Sequence, residues 1–166
     1  MAGTLTGVDL GADLLAFNPV SNKSDRVALE KGYYFDHEAA WYAVYFIEHY
    51  VRQGEGEWAG KLVKLLRWQK ERIWRMFGWK RPNGARRFRT IFIEVPKKNG
   101  KTTLTAGVTL KLEVADGERG PQIYLGAVDR GQAETLFRMV TAAIAQEPEL
   151  AAMMDVVESR KTIHCS

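Results

Sequence analysis

The sequence predicts an α/β fold, an incomplete parallel sheet flanked by helices and preceded by a helical N-terminal region. Three observations predict it. Residues 88–95 and 122–128 are runs rich in β-branched and aromatic side chains, of strand length. Each is followed by a stretch with helical apolar spacing. Upstream, between residues 38 and 77, apolar positions recur with the same helical period. Strand, helix, strand, helix implies parallel strands joined by right-handed crossovers.

The elements follow in order. Residues 1–35 mix Gly, Asp, Asn, Pro and Ser with few apolar clusters and read as an irregular arm. Asp36 is a helix N-cap for a segment reaching about Arg52, where Ala40, Ala43, Ile47 and Val51 share a face. The turn Gln53, Gly54, Glu55, Gly56, Glu57 breaks it. A second helix is expected from about Lys61 to Phe77, ended by Gly78 and the turn at Pro82, Asn83 and Gly84. After the first strand, a polar loop at 96–99 leads into a helix opened by Gly100, whose Ala106 and Gly107 are small enough to pack closely on a sheet. The second strand is followed by a helix from Asp129 to Gln146 with Leu136, Val140, Ala143 and Ile144 inward. Asp155 and Glu158 flank a short run at Val156 and Val157, and a further strand begins near Arg160. The pattern is still under way at the last residue, which predicts a truncated domain. The expected divisions are an arm (1–35), a helical segment (36–79) and an α/β core (80–166).

Of 166 residues, 46% are apolar and 27% charged, as in a globular domain. No apolar run is long enough to cross a membrane, and the N-terminus lacks the pattern of a secretory signal. The single cysteine, Cys165, allows no internal disulfide, so a reducing, cytoplasmic setting is expected. His37, His49 and His164 lack metal-ligand spacing. Net charge is +4, but it is unevenly spread. Residues 61–101 hold 14 Lys and Arg against two acids, between acidic flanks. Such a block suits phosphate, nucleotide or DNA, or else forms a solvated helix face.

The chemistry concentrates after the first strand. Gly100, Lys101 and Thr102 match the second half of the phosphate-loop pattern G-x-x-x-x-G-K-[ST], with Val95 in the place of its first glycine. A loop at a helix N-terminus turns free N–H groups toward an anion. Lys101 would reach the outer phosphates of ATP and Thr102 would place its hydroxyl on Mg²⁺. Lys97 and Lys98 add charge, and Asn99 and Thr103 complete the candidate set. The competing reading is a basic connection with an exposed lysine.

The string Pro96, Lys97, Lys98, Asn99, Gly100, Lys101, Thr102 resembles the deviant phosphate loop of tailed-phage large terminases. Leu66, Arg67, Trp68 and Gln69 resemble that family's adenine-side motif. Phe77, Gly78, Trp79 and the run from Gly84 to Arg89 resemble the joining segment, and the stretch from Tyr124 to Glu134 its second strand and following helix. The likeness covers residues 62–148, about half the chain. It implies the N-terminal part of a DNA-packaging motor with a P-loop NTPase-type sheet, an ATPase joined in full-length relatives to a nuclease. It further implies ATP and Mg²⁺ as cofactors, with double-stranded DNA, a portal protein and a small terminase subunit as partners. A homo-oligomeric ring and the cytoplasm of a bacterial host complete the implied setting. Gln69 would read the adenine edge, since an amide donates and accepts together. Lys97 stands where many relatives carry arginine, whose planar fork a lysine cannot reproduce. Family members hold the Mg²⁺-binding and water-orienting carboxylates on a later strand ending in Asp-Glu. No such strand, and no nuclease acidic cluster, follows Thr102, so no catalytic residue is identified and little turnover is expected of this chain alone.

Two alternatives stand beside this. One is a nucleic-acid-binding module without ATP chemistry, in which Trp68, Trp74, Phe77 and Trp79 stack on bases amid the basic block. The other is an assembly fragment with an open sheet edge, or an inert one.

Overall fold

A computed structural model describes residues 14, 16–54, 56–118 and 121–165. The chain divides into two compact units. The first comprises residues up to Val44 together with Leu66–Ile91; the second comprises Tyr45–Leu65 and the chain from Phe92 onward.

In the first unit, helix α1 (Lys23–Glu30) lies within the stretch expected to be an irregular arm. Asn22 caps it, its side chain accepting from the Asp25 N–H at 3.0 Å. Strand β1 (Tyr34–Phe35) follows, then helix α2 (His37–Tyr50), whose residues to Val44 belong to this unit. Asp36 caps α2 as expected, accepting from the Ala39 N–H at 2.9 Å. Helix α3 (Arg67–Gly78) starts later than its apolar spacing suggested. It runs into β2 (Trp79–Lys80), antiparallel to β1 with Phe35 opposite Trp79. The α3–β2 junction requires glycine. A Cβ on Gly78 would lie 2.6 Å from Phe35 Cε2 and 2.8 Å from Ala40 Cβ.

Trp74, Phe77 and Trp79 are buried, and Phe35 lies tilted against Trp74 with ring centroids 4.2 Å apart. Each such ring contributes roughly 1.5–3 kcal/mol through burial. Around this core sits a buried charge cluster. Asp25, 1% exposed, accepts from Arg75 Nη2 and Arg87 Nη1, each at 2.8 Å. Arg75 Nη1 and Trp79 Nε1 also donate to the Pro19 carbonyl, at 2.7 and 3.2 Å. Burial pushes the Asp25 carboxyl up, but the hydrogen bonds from Arg75, Arg87 and the Ser21 N–H outweigh it. The group ends below its ordinary value of 3.8.

The second unit holds the remainder of α2, helices α4 (Lys101–Val114), α5 (Arg130–Gln146) and α6 (Pro148–Met153), and strands β3 (Met154–Val157) and β4 (Thr162–Cys165). Asp129 caps α5 as its sequence suggests, accepting from the Gln132 N–H at 2.9 Å. Phe137, Val140, Ala143 and Ile144 are buried along α5, and Leu104, Ala106 and Leu110 along α4. A Cβ on Gly107 would meet Ile47 Cγ2 at 3.0 Å, so this small residue serves helix-on-helix contact with α2, where packing on a sheet was expected. A tight loop connects Arg52 to Leu62, which form an isolated antiparallel bridge. The Gln53 N–H donates to the Lys61 carbonyl at 2.9 Å and the Gly60 N–H to the Gln53 carbonyl at 3.0 Å. The Arg52 guanidinium joins Glu147 at 3.0 Å and the Gly60 carbonyl at 3.1 Å. At the loop's tip Trp58 is exposed, with Lys61 Nζ 4.5 Å from its ring centroid.

The expected parallel sheet is corrected. Among the described residues there are two two-stranded sheets, β1–β2 and β3–β4, and both are antiparallel. Residues 88–95 and 121–127 carry no strand assignment. Part of the strand signal survives as period-two burial. Ile93 and Val95 are half-buried while Phe92 and Glu94 are exposed, and Ile123 and Leu125 are half-buried while Gln122 and Tyr124 are exposed. Alternation is a local property of an extended chain, whereas a ladder needs a neighbour in register and cover on both faces.

Candidate phosphate-binding site

The loop expected to bind phosphate lies wholly in the second unit. Val95 ends the extended approach half-buried, and Pro96, Lys97 and Lys98 are exposed. Lys98 has φ of 67° and Gly100 has φ of 69°, both left-handed, with Asn99 between them. Glycine adopts this region freely, but lysine holds it at a cost of about 1–2 kcal/mol. Changes of helical hand along a short backbone gather successive N–H groups into a concavity that accepts anions. Asn99 braces the turn from within, its Nδ2 donating to the carbonyls of Pro96 at 3.3 Å and Lys97 at 3.4 Å.

Gly100 is the N-cap of α4 and has no side chain to satisfy the first turn. The opening N–H groups therefore remain available to an external acceptor. No acid stands in that turn. Lys101 is exposed, and Lys97, Lys98 and Lys101 form no salt bridge among the described residues. Three lysines, two left-handed residues and an uncapped helix start thus fall together in residues 97–101, with no salt bridge to those lysines among the described residues. This arrangement suits a multiply charged phosphate chain.

The two threonines differ. Thr102 is half-buried, and its side chain makes no hydrogen bond among the described residues. Thr103 Oγ1 instead donates to Gln53 Oε1 at 3.4 Å, tying the first turn of α4 to the 52–62 loop. Sequence reading missed Gln53, and a contact between residues 50 apart leaves no local signal. Among the described residues no three His, Cys, Asp or Glu side chains gather as a ready-made metal cage. The residues present fit Mg²⁺ only as a partner of bound phosphate, with Thr102 giving one protein oxygen.

Gln69 belongs to the first unit. It is 5% exposed and occupies the third position of α3, where its Oε1 accepts from the Leu66 N–H at 2.8 Å. That is one half of a capping box, because Leu66 cannot return the bond. Trp68 is half-buried, while Trp74, Phe77 and Trp79 lie in the core. Three of the four aromatics proposed to stack on bases are thus withdrawn from any ligand, which disfavours the nucleic-acid-module alternative.

The family described as "Terminase large subunit, ATPase domain" matches residues 67–165. The terminase large subunit of Enterobacteria phage HK97 is 29% identical over 119 residues, covering 71% of this chain and 23% of that protein. The crystal structure of the HK97 bacteriophage large terminase superimposes with a TM-score of 0.63 at 25% identity, over 78% of this chain and 25% of that one. The chain thus spans about a quarter of the length of the relatives it matches.

Proposed function

This chain belongs to the terminase large-subunit ATPase-domain family, and from that premise we propose that it is the ATP-binding part of a large subunit that powers viral DNA packaging. The observation that carries the reading is the placement of Lys97, Lys98 and Lys101 on a loop with left-handed turns before an uncapped helix, with no salt bridge to them among the described residues. When bound, ATP would supply the triphosphate and Mg²⁺ would offset its negative charge. The chain's own part is to grip and orient. Backbone N–H groups of the loop and of the first turn of α4 cradle the phosphates, Lys101 bonds the outer ones, and Thr102 offers its hydroxyl to the cation. Asn99 holds the loop's shape, and Thr103 anchors the helix start through Gln53. Lys97 gives point charge to the phosphates without a bidentate grip. Gln69 is not part of this grip, since it belongs to the first unit, is 5% exposed and has its Oε1 accepting from the Leu66 N–H. Hydrolysis, the DNA partner, the portal and small-subunit contacts and a ring assembly belong in this reading to the longer polypeptide of the relatives, acting in the host cytoplasm.

The test is a calorimetric titration of Mg-ATP into the chain. Lys101→Ala should weaken binding by roughly 10- to 150-fold, since bonds to charged groups are worth roughly 1.5–3 kcal/mol. Lys64→Ala, an exposed lysine outside the loop, should leave affinity near that of the parent. Equal affinities for Lys101→Ala and the parent would sink the proposal.

A further inference from the structure

We propose, resting on the ATP-binding reading, that Gln53 is a positioning residue for the phosphates, holding the first turn of α4 in place through Thr103. Both residues lie in the second unit. Thr103 is the third residue of α4, one step beyond Thr102 and two beyond Lys101. A threonine inside a helix commonly turns its hydroxyl back onto the carbonyl four residues earlier. Thr105 does so to Lys101 and Thr135 to Gly131, both at 2.9 Å. Thr103 departs from that habit and donates across to Gln53 Oε1. Side chains that grip a ligand keep their geometry when supporting hydrogen bonds lock the element that carries them. Gln53 gives that support to the turn bearing Lys101 and Thr102, from 50 residues away in sequence.

A side chain can position another only if its own base is fixed, and Gln53 is held from every side. Its N–H donates to the Lys61 carbonyl at 2.9 Å, and its carbonyl accepts from the Gly60 N–H at 3.0 Å. Before it, the Arg52 guanidinium joins Glu147, 8% exposed, at the junction of α5 and α6. After it, Gly54 lies close on α5, where an added Cβ would stand 3.2 Å from Ala142 Cβ and 3.5 Å from Met139 Cα. Gln53 thus rises from a base seated on α5 and joins that base to the start of α4. At 3.4 Å the bond is long, as hydrogen bonds around a ligand site often are before the ligand arrives. Phosphate drawn onto the first turn of α4 tightens it, and by reciprocity the 52–62 loop is steadied in return.

The experiment is a double-mutant cycle on Mg-ATP affinity, measured by calorimetry on chains that thermal unfolding shows to be folded. Gln53→Ala and Thr103→Val should each weaken binding roughly three- to tenfold, within the range of one hydrogen bond. The double variant should bind no more weakly than either single one, since the two side chains act as a unit. Thr103→Ser, which keeps the hydroxyl, should recover most of the loss seen in Thr103→Val. Hydrogen exchange supplies a readout that a merely structural bond would not move. The Gln53 and Gly60 amides should slow by about threefold or more when saturating Mg-ATP is added to the parent, and should not slow in Thr103→Val. Parent-like affinity of both single variants, additive losses in the double variant, or equal slowing of the loop amides in Thr103→Val would overturn the proposal. Parent-like binding by Gln53→Ala beside a loss in Lys101→Ala removes this inference and leaves the proposed function standing. Parent-like binding by Lys101→Ala removes both.

Discussion

The basic block between residues 61 and 101 meets two different fates. In the first unit two of its arginines, Arg75 and Arg87, are spent internally on buried Asp25. In the second unit Lys97, Lys98 and Lys101 stand on a loop with no anion of their own among the described residues. Sequence charge counts cannot separate these cases. The arginine fork suits a fixed, desolvated carboxylate, whereas ammonium groups keep their hydration and wait for a mobile ligand. The difference teaches that a positive patch points to a partner only after its internal counter-charges have been subtracted.

The contrast can be broken at its strongest point first. Asp25→Ala should cost about 3–5 kcal/mol in the first unit, because two arginines are left buried without their acid. Thermal denaturation measures the cost, and Mg-ATP affinity of the folded protein should be unchanged. An affinity loss matching that of Lys101→Ala would erase the distinction between the two groups of cations. Acid makes the same cut without mutation. The Asp25 carboxyl titrates below its ordinary 3.8, so its contribution is complete above that value and is lost as pH falls through the lowered one. Unfolding followed against pH should therefore show a stability loss that begins below about 4 and is blunted in Asp25→Asn. The smallest effect sharpens the comparison from the other side. Lys98→Gly should stabilise the chain by up to about 1 kcal/mol through relief of the left-handed backbone, and weaken Mg-ATP binding several-fold by removing one charge. A stabilised variant that binds as tightly as the parent would show that Lys98 serves the turn alone.

Much of this was legible in the sequence where the signal was local. Asp36 marked a helix start by capping chemistry, apolar spacing marked the helix that Asp129 caps, and Gly100 marked the start of α4. The loop's position between an extended segment and a helix followed from periodicity. Helix α1 was overlooked although Asn22 stands three residues before Asp25, a capping spacing. Pairing was not legible. The alternation in 122–125 is real, but a strand needs a partner, and among the described residues none forms a ladder with it. Nor were the contacts of Asp25 with Arg75 and Arg87, or of Gln53 with Thr103, since residues 50 or more apart in sequence carry no mark of each other.

The loop tip described at Trp58 has an optical consequence. Of the chain's five tryptophans, Trp41, Trp68, Trp74 and Trp79 belong to the first unit, and Trp58 alone belongs to the second. Trp58 is solvated under a lysine, whereas Trp41, Trp74 and Trp79 are buried. Its emission should lie at longer wavelength than theirs and be quenched more readily by added iodide. The native protein thus carries two spectrally distinct reporters, one for each unit, and no label is needed to follow either.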